Sequence, residues 1–358
     1  MGSVDGMAGA GMKKIPRAMK VSVLRGVGEV AVEERPVPEP GPREVLIRVT
    51  AVGACGSDVH YYEHGRIGDF VVREPLVLGH EPAGVVVGRG SEARAHEIGQ
   101  RVALEPGVPC STCEQCTIGQ YNLCPEMRFF GTPPVDGAFA EYVVLREDFA
   151  YAVPDELSDE AAGLLEPLSV GVWSCRKASV GPGARVLITG AGPIGLVATQ
   201  TARAFGATEI VVTDINPTRL ALAAELGATS TIDVSEEDLA DSAFEPDVLL
   251  ECSGAPRAIS AAIRKVGRAG RVVLIGMGGD EIPLPLAHVQ ANELEVTGTF
   301  RYANTWPTAI ALAAGGDVDL DRLVTHRFGL AEVERALTIA KTDPGVIKPV
   351  VLPQVARA

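Results

Sequence analysis

The chain is poor in aromatic residues, which make up 5% of it, and it has fewer basic than acidic residues, 32 against 46. The resulting net charge of −14 repels phosphate backbones and anionic lipid surfaces at long range, so neither nucleic acid nor a membrane is expected as a partner. Long apolar runs are also missing. No stretch of about 20 apolar residues exists, and the opening MGSVDGMAGAGMKKIPRAMK lacks the apolar centre of a secretory leader, so a cytoplasmic chain is expected. Disorder is excluded by composition, because 46% hydrophobic and 22% charged residues are enough to build a core. At roughly 150 residues per domain, 358 residues predict two domains.

Cysteine and glycine, by contrast, are plentiful. The seven cysteines stand at 55, 110, 113, 116, 124, 175 and 252, and an odd count in a reducing compartment argues for metal ligation or free thiols rather than disulfides. The 40 glycines imply many tight turns and close backbone approaches.

Residues 1–20 are rich in Gly, Ala and Met without an apolar period, and read as a disordered extension, native or appended. From Val21 to about residue 153, short alternating runs (VSVL, EVLIRVTAVG, AGVVVGRG, RVALEPG) separated by Pro and Gly clusters predict a compact β domain. Near 158 the period becomes helical, with Ser158 as N-cap, Asp159 and Glu160 in the first turn, and Pro167 after the apolar positions. Strand then alternates with helix: RVLIT, GAGPIG and LVATQTARAF closing at Gly206, then EIVVTD and a helix with Asn216 as N-cap, Pro217 at its first position and Gly227 past its end. With DVLLECSG and RVVLIG following, a doubly wound parallel sheet covered by helices on both faces is indicated. The terminal KPVVLP is a short strand able to pair back with the first domain.

Three motifs carry chemistry. In Gly190-Ala191-Gly192-Pro193-Ile194-Gly195, Gly190 permits a tight turn, Gly192 lets a pyrophosphate approach, Gly195 allows close helix packing, and the helix N-terminus offers N–H groups to phosphates. Asp214, nineteen residues on, is placed to bind ribose hydroxyls and repel a 2′-phosphate, which favours NAD over NADP. Arg219 could pair with Asp214, stack on adenine, or simply be a solvated charge. Second, Cys110, Cys113, Cys116 and Cys124 have the density to close a tetrahedron on a structural Zn²⁺, with an iron–sulfur cluster as the competing assignment. Third, Cys55, His80 and Glu81 offer the mixed donors of a catalytic zinc. Singly, they also fit a buried thiol, a core imidazole and a surface charge.

The segments CGSDVHYYEHGRIGDF, LGHE, LLEPLSVG, GAGPIG, FRYANTWP and VTHRF together resemble the zinc-dependent medium-chain dehydrogenases, within them most nearly the sorbitol dehydrogenase group, which includes xylitol and L-iditol dehydrogenases. The likeness runs from about residue 20 to the end. It implies a GroES-like catalytic domain (21–166 and 303–358, with a zinc lobe near 107–126) around an inserted Rossmann domain (167–302). It also implies a catalytic zinc on Cys55, His80 and Glu81, with Glu166 at the fourth position directly or through a water, a structural zinc on the four clustered cysteines, and NAD as cofactor. Alcohol dehydrogenases of the superfamily usually carry cysteine where Glu166 stands; by residue type alone Glu166 is a carboxylate at a helix end before Pro167. One departure is Gln100, where the family usually has Asp, which alters a surface turn.

By the same resemblance the reaction is oxidation of a polyol at C2 to a ketose with hydride transfer to NAD, and Ser57 and His60 relay the proton to solvent. Tyr61, Arg301 and Tyr302 are the candidate polar groups for the substrate, with Phe129 or Phe130 as an apolar wall, while Asn304 and Trp306 are structural. A homodimer or homotetramer is implied. A vicinal-diol or threonine-type dehydrogenase remains an alternative, as does a catalytically silent cofactor-binding protein, which intact Cys55, His80, Glu81 and Glu166 argue against.

Overall fold

Alternating apolar residues turn the first third of the chain into strands. In Glu44–Gly53 the residues Val45, Ile47, Val49 and Ala51 are all fully buried, and the strand becomes the centre of the larger sheet. The computed structural model describes residues 15–279 and 281–355. Its seven-stranded mixed sheet runs, in spatial order, Ala150–Ala152, Arg101–Leu104, Glu81–Arg89, Glu44–Gly53, Lys348–Leu352 and Val324–Gly329, with Tyr142–Arg146 also pairing Glu44–Gly53. The expected return of KPVVLP is therefore observed: Val350 and Val351 pair antiparallel with Gly53 and Val52. The first strand, Ala18–Gly26, pairs with Glu29–Pro36 and takes in the last three residues of the stretch read as an extension, because Met19 and Val21 already bury their side chains. Residues 1–14 lie outside those described. At the surface turn before Arg101, Gln100 Oε1 accepts from the Glu97 N–H at 3.1 Å.

The second half of the architecture is a six-stranded, all-parallel sheet in the order Ser230–Asp233, Glu209–Asp214, Arg185–Thr189, Val248–Glu251, Arg271–Leu274, Glu295–Gly298. In chain order that is 3-2-1-4-5-6, the doubly wound arrangement, with its switch point between Arg185–Thr189 and Val248–Glu251. Both faces are covered. Ile188, Val212, Leu250 and Val273 belong to one apolar cluster, and their neighbours Leu187, Val211, Leu249 and Val272 to another. The first cluster continues into Ala51, Ala83 and Ala103 of the mixed sheet, so the two sheets share one core. Asn216 caps its helix as read, its side chain accepting from Thr218 and Arg219 N–H, and Gly227 ends it with φ +114°.

The helical stretch after Ser158 is not one helix ending at Pro167. It is two, Asp159–Gly163 and Leu165–Lys177, and Pro167 sits in the first turn of the second, where its missing N–H is not needed. Glu166 thus lies at a helix start, buried, rather than at an exposed helix end.

Candidate active site

The ladder register builds the first cluster. Gly53 is paired with Glu81, so Cys55, two residues past the strand end and at the N-cap of helix Gly56–His64, arrives beside His80 and Glu81. One donor atom from each of Cys55, His80 and Glu81 lies within 4.8 Å of the others. A Cβ at Gly53 would collide with Glu81 Oε2, so glycine there leaves the carboxylate its place. Glu81 Oε1 accepts from Lys348 Nζ at 2.6 Å, whereas Oε2 is buried with no hydrogen-bond partner. A buried carboxylate oxygen with no hydrogen-bond partner, next to a thiol and an imidazole, is the donor chemistry of a cation site, and zinc fits it.

Two residues given no role from the sequence hold this cluster. Asp58, buried in the first turn of the helix, accepts from the N–H of Cys55 at 3.0 Å and of Gly79 at 2.9 Å, and its Oδ1 lies 3.5 Å from His80 Nδ1. Burial would raise its pKa, but His80 and those two N–H groups outweigh it and keep the carboxyl below the usual range. It therefore orients His80 as carboxylates behind metal-binding imidazoles do. Lys348 comes from the last strand; burial works against its charge, and Glu81 with Cys55 more than restores it.

Glu166 stands beside this group but outside the 4.8 Å cluster, and its Oε1 accepts from the Tyr302 hydroxyl at 2.9 Å. Burial pushes it up to about 7, against the opposing pull of His80. Arg301 is half-buried, its guanidinium carbon 3.9 Å from the centroid of the Phe129 ring, and it has no ion-pair partner among the described residues. Burial brings its pKa down to about 10. Tyr61, Phe129 and Tyr302 are buried, Phe130 is half-buried, and the Phe129 ring lies 5.7 Å from that of His80. Ser57 is half-buried in the first turn of helix Gly56–His64 while His60 is exposed, its ring 4.6 Å from that of His64. Trp306 is fully buried and stacks on Tyr151 at 5.3 Å.

The second cluster is compact too. Cys110, Cys113, Cys116 and Cys124 have their sulfurs within 4.8 Å of one another, with Sγ–Sγ distances of 3.4 Å (Cys113 to Cys116) and 3.9 Å (Cys110 to Cys116). A zinc tetrahedron with Zn–S of about 2.3 Å spaces its sulfurs at about 3.8 Å. The N–H and hydroxyl of Thr112, with the N–H of Cys113, pull the Cys110 thiol down to about 6, while burial and neighbouring Cys113 push Cys116 up to about 12. Such crowded thiols can all ionise only around a cation, so the donor set fits zinc.

At the switch point Gly190 takes φ +83°, and a Cβ at Gly195 would strike the Gly190 carbonyl. A Cβ at Gly192 would meet nothing within 4 Å, which leaves the open cradle a pyrophosphate requires ahead of helix Pro193–Ala204. Asp214 Oδ2 accepts from Ala191 N–H at 2.6 Å, and Oδ1 from Ile215 and Asn216 N–H, so the carboxylate is fixed at the mouth of this turn. Arg219 is not its partner. The Arg219 guanidinium donates to the Val346 carbonyl at 3.2 Å, since the helix directs it toward the chain's end instead.

Two family models match the chain: an alcohol dehydrogenase GroES-like domain over residues 41–155 and a zinc-binding dehydrogenase over residues 193–315. Sorbitol dehydrogenase from Bacillus subtilis (strain 168) is 44% identical over 90% of this chain and 94% of its own length. The Bos taurus sorbitol dehydrogenase is 45% identical over 90% and 93%. Among solved structures, L-idonate 5-dehydrogenase from Escherichia coli superposes with a TM-score of 0.88 at 31% identity, covering 94% of this chain and 98% of that one. The 2R,3R-butanediol dehydrogenase from Bacillus subtilis superposes with 0.86 at 29%, covering 94% and 100%. With the thiolate, imidazole and carboxylate donors already in place, the chain belongs to the zinc-dependent medium-chain dehydrogenases, in their sorbitol dehydrogenase group.

Proposed function

We propose that the chain oxidises a secondary alcohol at C2 of an open-chain polyol (sorbitol, xylitol or L-iditol) to the ketose, with NAD as hydride acceptor. Its curated relatives are sorbitol dehydrogenases, and one observation carries the site assignment: the unpartnered Glu81 Oε2 facing Cys55 and His80, with Glu166 close by. Bound there, zinc supplies Lewis-acid polarisation of the alcohol and NAD supplies the hydride acceptor. The chain does the rest. Cys55, His80 and Glu81 hold the metal; Asp58 and Lys348 hold those ligands. Glu166, tethered by Tyr302 and outside the donor cluster, takes the substrate proton through a water. Ser57 and exposed His60 pass it along helix Gly56–His64 to solvent. Arg301 and Tyr61 bind the remaining hydroxyls, with Tyr302 beside them and Phe129 as the apolar wall. Gly190, Gly192, Pro193, Ile194, Gly195 and Asp214 hold NAD, and Arg219, anchored on the chain's end, closes the adenine side. We assign 18–166 and 303–355 to the catalytic domain and 167–302 to the cofactor domain, and place the enzyme in the cytoplasm as a homo-oligomer.

A panel of polyols, 2,3-butanediol and threonine, each with NAD⁺ and NADP⁺ and with zinc measured in the same sample, tests this. Fastest turnover with a polyol and NAD⁺, at two zinc ions per chain, is expected. Fastest turnover with butanediol or threonine would replace the polyol assignment.

A further inference from the structure

The four-cysteine lobe makes contacts that coordination of a metal does not require. Asn122, buried within it, donates from Nδ2 to the Phe300 carbonyl at 2.9 Å. On the other side of Arg301 and Tyr302, Asn304 donates its backbone N–H to the Tyr121 hydroxyl and its Nδ2 to the Gly119 carbonyl, each at 2.9 Å. Tyr121 is fixed in turn, because its hydroxyl donates to buried Glu105 at 2.8 Å. The strands that open and close the lobe, Gly107–Val108 and Arg128–Phe129, pair with Phe129 opposite Gly107, and Phe129 is the ring beneath Arg301.

The gripped segment is one that needs holding. Arg301 and Asn304 have φ of +55° and +57°, the left-handed region that non-glycine residues occupy only where their surroundings over-determine it. Lobe contacts on both flanks, together with Arg176 donating to the Asn304 carbonyl at 2.7 Å, provide that constraint.

We propose that the cysteine lobe is a positioning element for substrate recognition, in which Tyr121, Asn122 and Asn304 fix the segment Phe300–Asn304 so that Arg301 meets the hydroxyls of the substrate. The proposal rests on the reading of Arg301 as a substrate contact. It makes the lobe's integrity a determinant of polyol affinity, through residues other than the donor set Cys55, His80 and Glu81.

Asn304→Gly keeps the left-handed backbone accessible and removes the bond to Gly119; Tyr121→Phe removes the hydroxyl that receives the Asn304 N–H. Each should raise the polyol KM about five- to tenfold, as loss of one positioning hydrogen bond would. The KM for NAD⁺ and the zinc content should stay within twofold of wild type. Calorimetric polyol binding to the NADH-loaded enzyme should weaken in parallel, without turnover. In an Arg301→Ala background, Asn304→Gly should add less than twofold. If Arg301→Ala leaves polyol KM unchanged, the substrate reading of Arg301 falls. If Arg301→Ala raises it while Asn304→Gly and Tyr121→Phe do not, or if the effects multiply in the double variant, the positioning role is overturned and the substrate reading stands.

Discussion

Lys348 and Glu81, 267 residues apart in sequence, form a buried ion pair at 2.6 Å. The pair joins the last strand to the strand that begins with Glu81 of the donor cluster, and Lys348 also donates to the Ala54 carbonyl beside Cys55. Since the burial of Lys348 is offset chiefly by Glu81, removing one member strands the other. Lys348→Met should destabilise the protein by about 3–5 kcal/mol, measured by urea unfolding, and lower zinc occupancy. Adding Glu81→Gln to it should recover part of the stability but not the zinc. A loss under about 1 kcal/mol would show that the pair is not structural.

Asp214 has two jobs in the structure, and one substitution separates cofactor choice from loop support. Its carboxylate presents negative charge at the cofactor cradle and also holds the Ala191, Ile215 and Asn216 N–H groups. Asp214→Ala should reduce kcat/KM for NAD⁺ by roughly tenfold or more, with a smaller loss for NADP⁺, because the repulsion of a 2′-phosphate goes with the ribose acceptor. Equal losses for both cofactors would mean that only loop support was removed.

Much of this was legible in the sequence where the signal is local. Asn216, Pro217 and Gly227 bracket a helix by their own conformational preferences, and the glycine spacing at 190–195 dictates a turn that the backbone then makes. Close spacing likewise brings four cysteines together. What stayed hidden depends on long-range register. Lys348 reads as one charge in an apolar strand until that strand is placed against Gly53, and Glu105 reads as a strand-end carboxylate until Tyr121 and Tyr151 converge on it. Pro167 misled for a different reason: proline stops a helix from within but is accepted in its first turn, and Leu164 separates two helices where periodicity shows one. Asp58 had a local signal, an acid three residues after the N-cap position, though its contact with His80 needed the fold.

Glu105 gives a pH signature independent of the metals. Burial raises its pKa to about 7 despite hydrogen bonds from Tyr121 and Tyr151. A carboxyl whose folded pKa exceeds its unfolded value binds more protons in the fold, so its contribution is fully present below about pH 4.5 and is lost as pH rises to about 7. The span corresponds to roughly 3 kcal/mol. Glu105→Gln should flatten the stability profile between those limits, seen as a smaller drop in unfolding free energy from pH 5 to pH 8. An identical drop in both proteins would show that Glu105 is ionised in the fold.

In the proposed mechanism Glu166 takes the substrate proton. It is buried, bonded to Tyr302, and stands outside the cluster of Cys55, His80 and Glu81, a geometry suited to orienting a water rather than to permanent ligation. Glu166→Gln keeps the volume and can still accept from Tyr302, but it cannot take a proton. Turnover should fall on the order of 10²–10⁴-fold with zinc content unchanged. Burial holds the carboxyl at about 7 against the pull of His80, and a cation at the neighbouring cluster pulls it lower, so wild-type turnover should rise with pH along a limb centred at or below 7 that the variant lacks. If Glu166 is instead a direct ligand, the variant should lose zinc, and added zinc should restore much of the rate. Turnover against pH with parallel metal analysis separates the two, and a fully metallated variant with unchanged rate and profile would exclude both roles.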